Sequence, residues 1–269
     1  MFQPLIEECR LRNYSVKTIK AYLFYNNKFL QFCKKRPQEI TRDDLRNYLL
    51  YLDSKGCSSS MINLAHNALN FYYKTIFGRN FKPIKFQKRE QKYPQILSIE
   101  EIKKLIDVTN NKKHQLMISL LYASGVRVSE LVKIRLMDLD LNRKALLVRQ
   151  GKGKKDRYTI LSEKVVAEIR SYLSNRKEHN QYLFPSNEGH ITIRTVQEVL
   201  NQARTKAKLD KEVTPHKLRH SFATHLLEAK VPESKIQKLL GHKDIKTTQI
   251  YAQVSTKNLL ETKSPHDQI

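Results

Sequence analysis

Acidic side chains are scarce in this chain: 26 Asp and Glu stand against 50 Lys and Arg over 269 residues, a formal charge of +24. Solubility alone needs a net charge of only about 2–8 in a small domain, so the excess points to a polyanionic partner. Glycine (7) and proline (8) are too few for a fibrous or disordered protein. The three cysteines, Cys9, Cys33 and Cys57, are odd in number and far from any Cys-x-x-Cys spacing. They exclude a disulfide framework and read as free thiols in a reducing, cytoplasmic setting. There is no run of about 18 apolar residues, which excludes a membrane-spanning helix. The start, Met1 to Glu8, is acidic and lacks a secretory apolar region.

Enough apolar side chains remain, 40% of the chain, to build cores, and 269 residues predict two domains. The positive charge is shared: residues 1–95 carry +11 and residues 96–269 carry +13, as expected if both halves touch one polyanion. Residues 1–80 read as helices. Ser15 is placed to cap a segment with apolar residues from Ile19 to Phe32, and Thr41 with Asp44 forms a capping box before Leu45 to Leu52. Gly56 closes that helix, and Ser58 to Ser60 open another carrying Ile62, Leu64, Leu69 and Tyr72. Residues 81–95, with Pro83, Pro94, abundant charge and no periodicity, read as a basic linker.

A second domain is expected over residues 96–269, opening with the capping box Ser98 to Glu101. Lys113 to Ala123 predicts an apolar helix stopped by Gly125. Ala145 to Arg149 and Arg157 to Leu161 predict a β-hairpin whose turn places Lys152 between Gly151 and Gly153. Helices are expected at about 163–177 and 192–208, and from Thr214 (N-cap) and Pro215 through Glu228. The fold class is thus mainly α: a helical N-terminal domain, then an α-rich domain with a small antiparallel sheet.

His216 and Arg219 lie three apart on one helical face, with Leu218, Phe222 and Leu226 giving the same helix a core side. The N-terminus of that helix supplies backbone N–H groups suited to phosphate; equally, the motif alone fits a surface helix with incidental basic residues. Arg127 follows the helix-stopping Gly125, where a side chain can be aimed into a cleft or pair with Glu130. Gly151-Lys152-Gly153 lacks the Walker spacing, so nucleotide binding is not expected. His216, His220 and His225 lack a Glu or Cys to complete a zinc set, and no metal is expected. His242 follows Gly241, a predicted helix stop, and Tyr251 lies nine residues on. A phenol of pKa about 10 needs cationic or basic neighbours to act as a nucleophile.

In order and spacing these strings resemble the tyrosine recombinase (integrase) family, most closely its Xer branch. The likeness covers about residues 95–260, with a weaker match of residues 1–80 to the family's SAM-like core-binding domain. It implies that Arg127 and Arg219 clamp a scissile phosphate of double-stranded DNA and that Lys152 protonates the leaving 5′-oxygen. By the same resemblance His216 handles the nucleophile's proton, His242 positions the phosphate and Tyr251 attacks. Glu130 and His220 would support them. No metal, cofactor or nucleotide would be required. The implied assembly is a homo-tetramer on two DNA sites, linked through the tail after Tyr251. The implied duty is resolution of chromosome or plasmid multimers, with integration of a mobile element as the alternative. A regulatory DNA-binding protein and a relaxing topoisomerase are the rival classes.

Overall fold

The computed structural model describes residues 2–81, 95–149, 156–176, 180–187 and 189–241. The chain divides into two compact units, residues 1–91 and 92–269. The predicted linker falls largely on residues 82–94, outside the described residues.

The first unit contains α1 (Gln3–Leu11), α2 (Val16–Cys33), α3 (Arg42–Ser54) and α4 (Ser59–Ile76). Their starts are written locally. The Ser15 hydroxyl accepts the Thr18 N–H, Ser58 accepts that of Met61, and Thr41 with Asp44 completes a reciprocal box. Leu5, Phe29, Ile40, Leu45, Tyr48, Leu69, Tyr72 and Tyr73 are buried together. One polar side chain enters this unit deeply: Asn26 donates to the carbonyls of Tyr22 and Ala68, which keeps α2 and α4 in register.

The second unit is built around α6 (Lys112–Ser124), an apolar helix buried on most sides, as the all-round pattern from Leu116 to Leu121 demands. Around it pack α5 (Ile99–Asp107), α8 (Glu163–Ser174), α9 (Ile193–Lys206) and α10 (Pro215–Glu228). Gly125 ends α6 at φ +60°, and a Cβ there would sit 2.3 Å from the Phe222 ring. This glycine therefore serves both the left-handed stop and the close approach of α10. A single turn, α7 (Val128–Leu131), follows. Strands β1 (Leu139–Asp140), β2 (Ala145–Val148) and β3 (Arg157–Ile160) form an antiparallel sheet in that order, with Val148 opposite Arg157.

The sheet is therefore the expected hairpin plus one short strand that the sequence reading omitted. A two-residue ribbon, β4 (Pro185–Ser186) with β5 (Gly189–His190), was also not foreseen. Strands this short carry no readable alternation. Helix α8 stops at Ser174, short of the expected residue 177. The last described helix, α11 (Glu233–Leu240), ends on Gly241 at φ +65°. No helix among the described residues is long and apolar enough to cross a membrane.

Candidate active site

Three elements bring their charged residues to one carboxylate. Arg127 is the N-cap of α7, and Glu130 reaches back to its backbone N–H at 2.7 Å. The same carboxylate accepts the Arg127 guanidinium at 2.8 Å. From β3, Arg157 donates Nη1 to Oε1 at 2.9 Å and Nη2 to Oε2 at 2.7 Å, a two-point clamp. From α10, Arg219 places Nη1 4.0 Å from Oε2, an electrostatic neighbour beyond hydrogen-bond length. Glu130 is 7% exposed. Burial alone would raise its pKa, yet hydrogen bonding and charge from Arg157, with help from Arg127, hold it down at about 2.

One carboxylate facing three guanidiniums leaves a local surplus of positive charge suited to an anion. The arginines are not equally accessible. Arg127 is 20% exposed, Arg157 10% and Arg219 4%. Arg219 donates Nη1 to the Gly125 carbonyl at 2.6 Å and Nη2 to that of Leu240 at 2.7 Å. Arg157 donates Nε to the Leu239 carbonyl at 2.9 Å. Both thereby satisfy carbonyls at the end of α11 that the helix itself cannot.

His216, in the first turn of α10, is exposed, while Arg219, three residues on, is buried. The Thr214 hydroxyl accepts the Lys217 N–H at 3.2 Å, and Pro215 occupies the first helical position. The helix therefore begins where its sequence says, with its N-terminal dipole beside His216. His220 is a different kind of histidine: burial, then the charges of His216 and Arg219, push its pKa down to about 4. It stays neutral near pH 7. His225 pairs with the Tyr122 hydroxyl through Nδ1 at 2.9 Å, and burial lowers its pKa. Among the described residues no group of three His, Cys, Asp or Glu could hold a metal ion.

Of the sequence-predicted site residues, the structure brings Arg127 and Arg219 together through Glu130. Lys152, His242 and Tyr251 lie outside the described residues. Arg157 was missed; the sequence reading treated it only as the start of a strand. A signal existed: in Arg157-Tyr158-Thr159-Ile160, strand parity puts Arg157 on the same face as Thr159, which is buried. A charged residue on an inward strand face requires a partner. Tyr48, Tyr72 and Tyr73 of the first unit are poor nucleophiles, since burial raises the pKa of Tyr72 and Tyr73 and that of Tyr48 to about 12.

Residues 95–258 match the Phage integrase family, and residues 1–82 match its "Phage integrase, N-terminal SAM-like domain". The chain belongs to the phage integrase family, and within it to the Xer-like tyrosine recombinases. It is 36% identical to the putative integrase/recombinase y4qK of Sinorhizobium fredii, over 98% of this chain and 88% of that one. Tyrosine recombinase XerA of Pyrococcus furiosus is 38% identical over 93% of this chain and 88% of its own. Tyrosine recombinase XerD of Rickettsia conorii is 35% identical, covering 96% and 94%. Among solved structures, a XerA recombinase superimposes with a TM-score of 0.58 at 33% identity, covering 98% of each chain. The fold is also that of XerH bound to palindromic difH in a post-cleavage complex, with a TM-score of 0.76 at 23% identity, covering 93% and 80%.

Proposed function

We propose that this chain is a site-specific DNA recombinase that breaks and rejoins strands through a 3′-phosphotyrosyl link, without a metal ion. The observation that carries the reading is the Arg127–Glu130–Arg219 group beside the N-terminus of α10. It gathers donors of the kind a phosphoryl-transfer transition state needs, preorganised on rigid elements. Relatives named tyrosine recombinase across nearly the whole chain support it.

In the proposed step the Tyr251 oxygen attacks the scissile phosphorus while His216 takes the phenol proton. Arg127, Arg219 and His242 meet the charge on the phosphate oxygens. The bond to the 5′-oxygen breaks, and Lys152 supplies the proton that makes it a hydroxyl. A 5′-hydroxyl of the partner strand then displaces the tyrosine by the reverse chemistry. The link keeps the energy of the phosphodiester, so no nucleotide is consumed. Residues 1–80 form the core-binding domain, 81–95 a basic linker, and 96–269 the catalytic domain. Four copies act on two DNA sites, joined through the tail beyond Tyr251.

The biological role proposed is Xer-like resolution of chromosome or plasmid multimers in the cytoplasm, supported by the relatives named XerA and XerD. The 36% match to a protein named integrase/recombinase favours a second role, integration of a mobile element. The test starts with a duplex selected from a randomised library by binding to the full chain. Nicked beside each candidate phosphate, it should trap a protein–DNA adduct that survives denaturation and forms equally in excess chelator. Absence of an adduct at every nick position would overturn the recombinase reading, and loss with chelator would overturn metal independence.

A further inference from the structure

We infer that Arg157 is a positioning residue that ties together the three elements from which the catalytic side chains are presented. Its consequence for catalysis rests on the recombinase reading above. The side chain has three kinds of contact. Its two terminal nitrogens clamp Glu130, whose carboxylate also holds both the backbone N–H and the guanidinium of Arg127. Its Nε is on the Leu239 carbonyl at the end of α11. Its aliphatic and Nε atoms lie against Gly241, where a Cβ would come within 2.7 Å of Cδ and 3.0 Å of Nε.

Each contact leads to a site residue. Arg127 is held through Glu130. His242 is the residue after Gly241, so the chain enters that position from a point fixed by Arg157. Arg157 itself pairs with Val148, the rung nearest in sequence to residues 150–155, among which Lys152 falls. The other leg is anchored likewise, since Arg149 donates to Asp138 at 2.5 Å and Asp138 is 3% exposed. A guanidinium is needed for this role, because an ammonium is a point charge and cannot span both carboxylate oxygens while also donating sideways to a carbonyl.

There is an electrostatic consequence too. With Arg157 in place, Glu130 divides its charge between two guanidiniums, so Arg127, although bonded to Oε1 at 2.8 Å, keeps part of its charge for a phosphate, as does Arg219. Without it, the buried carboxylate would draw Arg127 inward and compete with the phosphate for it.

The experiment uses the full-length wild type, Arg157→Gln and Arg157→Lys with the selected nicked duplex. Hydrogen exchange is measured on each protein without DNA, and single-turnover adduct formation at saturating protein. For Arg157→Gln we expect faster exchange confined to residues 127–131, 156–160 and 238–241. The adduct rate constant should fall about 10²-fold, the effect of a misplacement near 1 Å, with the final adduct yield kept. Arg157→Lys should recover little of the rate. Unchanged local exchange overturns the tether, and an unchanged rate constant overturns the positioning role. A lower yield at the wild-type rate constant would show only a smaller folded fraction and also overturns it. If the wild type itself forms no adduct, the recombinase reading fails, and the positioning role falls with it.

Discussion

The two units solve stability with different materials. The first relies on rings: Phe29 lies 5.3 Å from Tyr48, Tyr72 5.3 Å from Tyr73, and Tyr73 5.6 Å from Phe77. The second has an aliphatic core of Leu, Ile and Val around α6, crossed by a charged seam from Glu130 to Arg157 and Arg219. Ring contacts are worth about 0.5–1.5 kcal/mol each beyond their area and tolerate a range of tilts. A bidentate carboxylate–guanidinium pair fixes direction. In the proposed function, a unit that grips a DNA backbone can accept the first kind of tolerance, and a unit that aligns a phosphorus with a nucleophile and an acid needs the second.

That contrast is tested most severely by variants at the proposed chemistry. Tyr251→Phe should bind the selected duplex normally and form no covalent adduct; an adduct on a denaturing gel would mean another tyrosine attacks. Lys152→Ala should slow adduct formation by about 10²–10⁴-fold, the usual worth of a general acid. A substrate with a 5′-thiol leaving group needs little protonation and should regain most of that loss. Equal slowing on both substrates would remove the proton-donor role. Changes to the ring-lined core of the first unit should alter stability and DNA affinity while leaving the rate constant of bound complexes untouched.

Core truncations come next in size. Phe29→Ala removes a fully buried ring and should cost about 3–5 kcal/mol, and Leu121→Ala about 2–5 kcal/mol. Chemical denaturation followed by exchange at each unit would assign the losses. The comparison predicts that Phe29→Ala is felt in residues 2–81 and Leu121→Ala in residues 95–241. Loss spread evenly over both would show that the units share one cooperative transition.

Most helix starts were legible because each is decided within four residues: Ser15, Thr41, Ser58, Ser98 and Thr214 all cap as their neighbours require. Gly125 and Gly241 were legible as stops for the same reason. The seam was not. Glu130 and Arg157 are separated by 27 residues and Arg219 from Leu240 by 21, and no local pattern encodes which buried charge meets which. The Arg127–Glu130 pair, three apart, was readable as one of two options, and the structure has it. Motif order singled out Arg219 but gave no hint that its guanidinium would rest on the Gly125 and Leu240 carbonyls.

Acid should discriminate between the units more gently. His220 has a folded pKa near 4 against an ordinary 6.5. Below pH 6.5 the unfolded chain takes up a proton that the folded one refuses, so stability falls as pH drops from about 6.5 to 4. Glu130 has the same proton preference in a more acidic window: its folded pKa of about 2 lies below the ordinary 4.5, so its contribution is full above pH 4.5 and fades towards pH 2. Each shift corresponds to roughly 3 kcal/mol. The second unit should therefore soften in two stages. His220→Gln should flatten the first, and an unchanged slope between pH 6.5 and 4 would show that His220 is not its source.

The smallest expected effects are at the caps, and they sharpen the comparison because the two capping boxes are chemically alike. Thr41 with Asp44 opens α3 in the first unit, and Ser98 with Glu101 opens α5 in the second. Each alanine variant, Thr41→Ala or Ser98→Ala, loses one acceptor for an N–H that the helix leaves unsatisfied, worth about 1 kcal/mol. Their surroundings differ. Asp44 is also paired with Lys35 at 2.8 Å on the surface, whereas Glu101 accepts Lys211 at 3.0 Å from a distant part of the chain. Leu97, next to Ser98, donates its N–H to the Ser221 hydroxyl of α10 at 3.0 Å. Fraying at Ser98 is thus coupled to the helix that carries His216 and Arg219, while fraying at Thr41 is not. Ser98→Ala should therefore slow adduct formation slightly as well as lower stability, and Thr41→Ala should lower stability alone. Equal rate constants for the two variants at saturating protein would show that α10 is held by its own contacts and owes nothing to the start of α5.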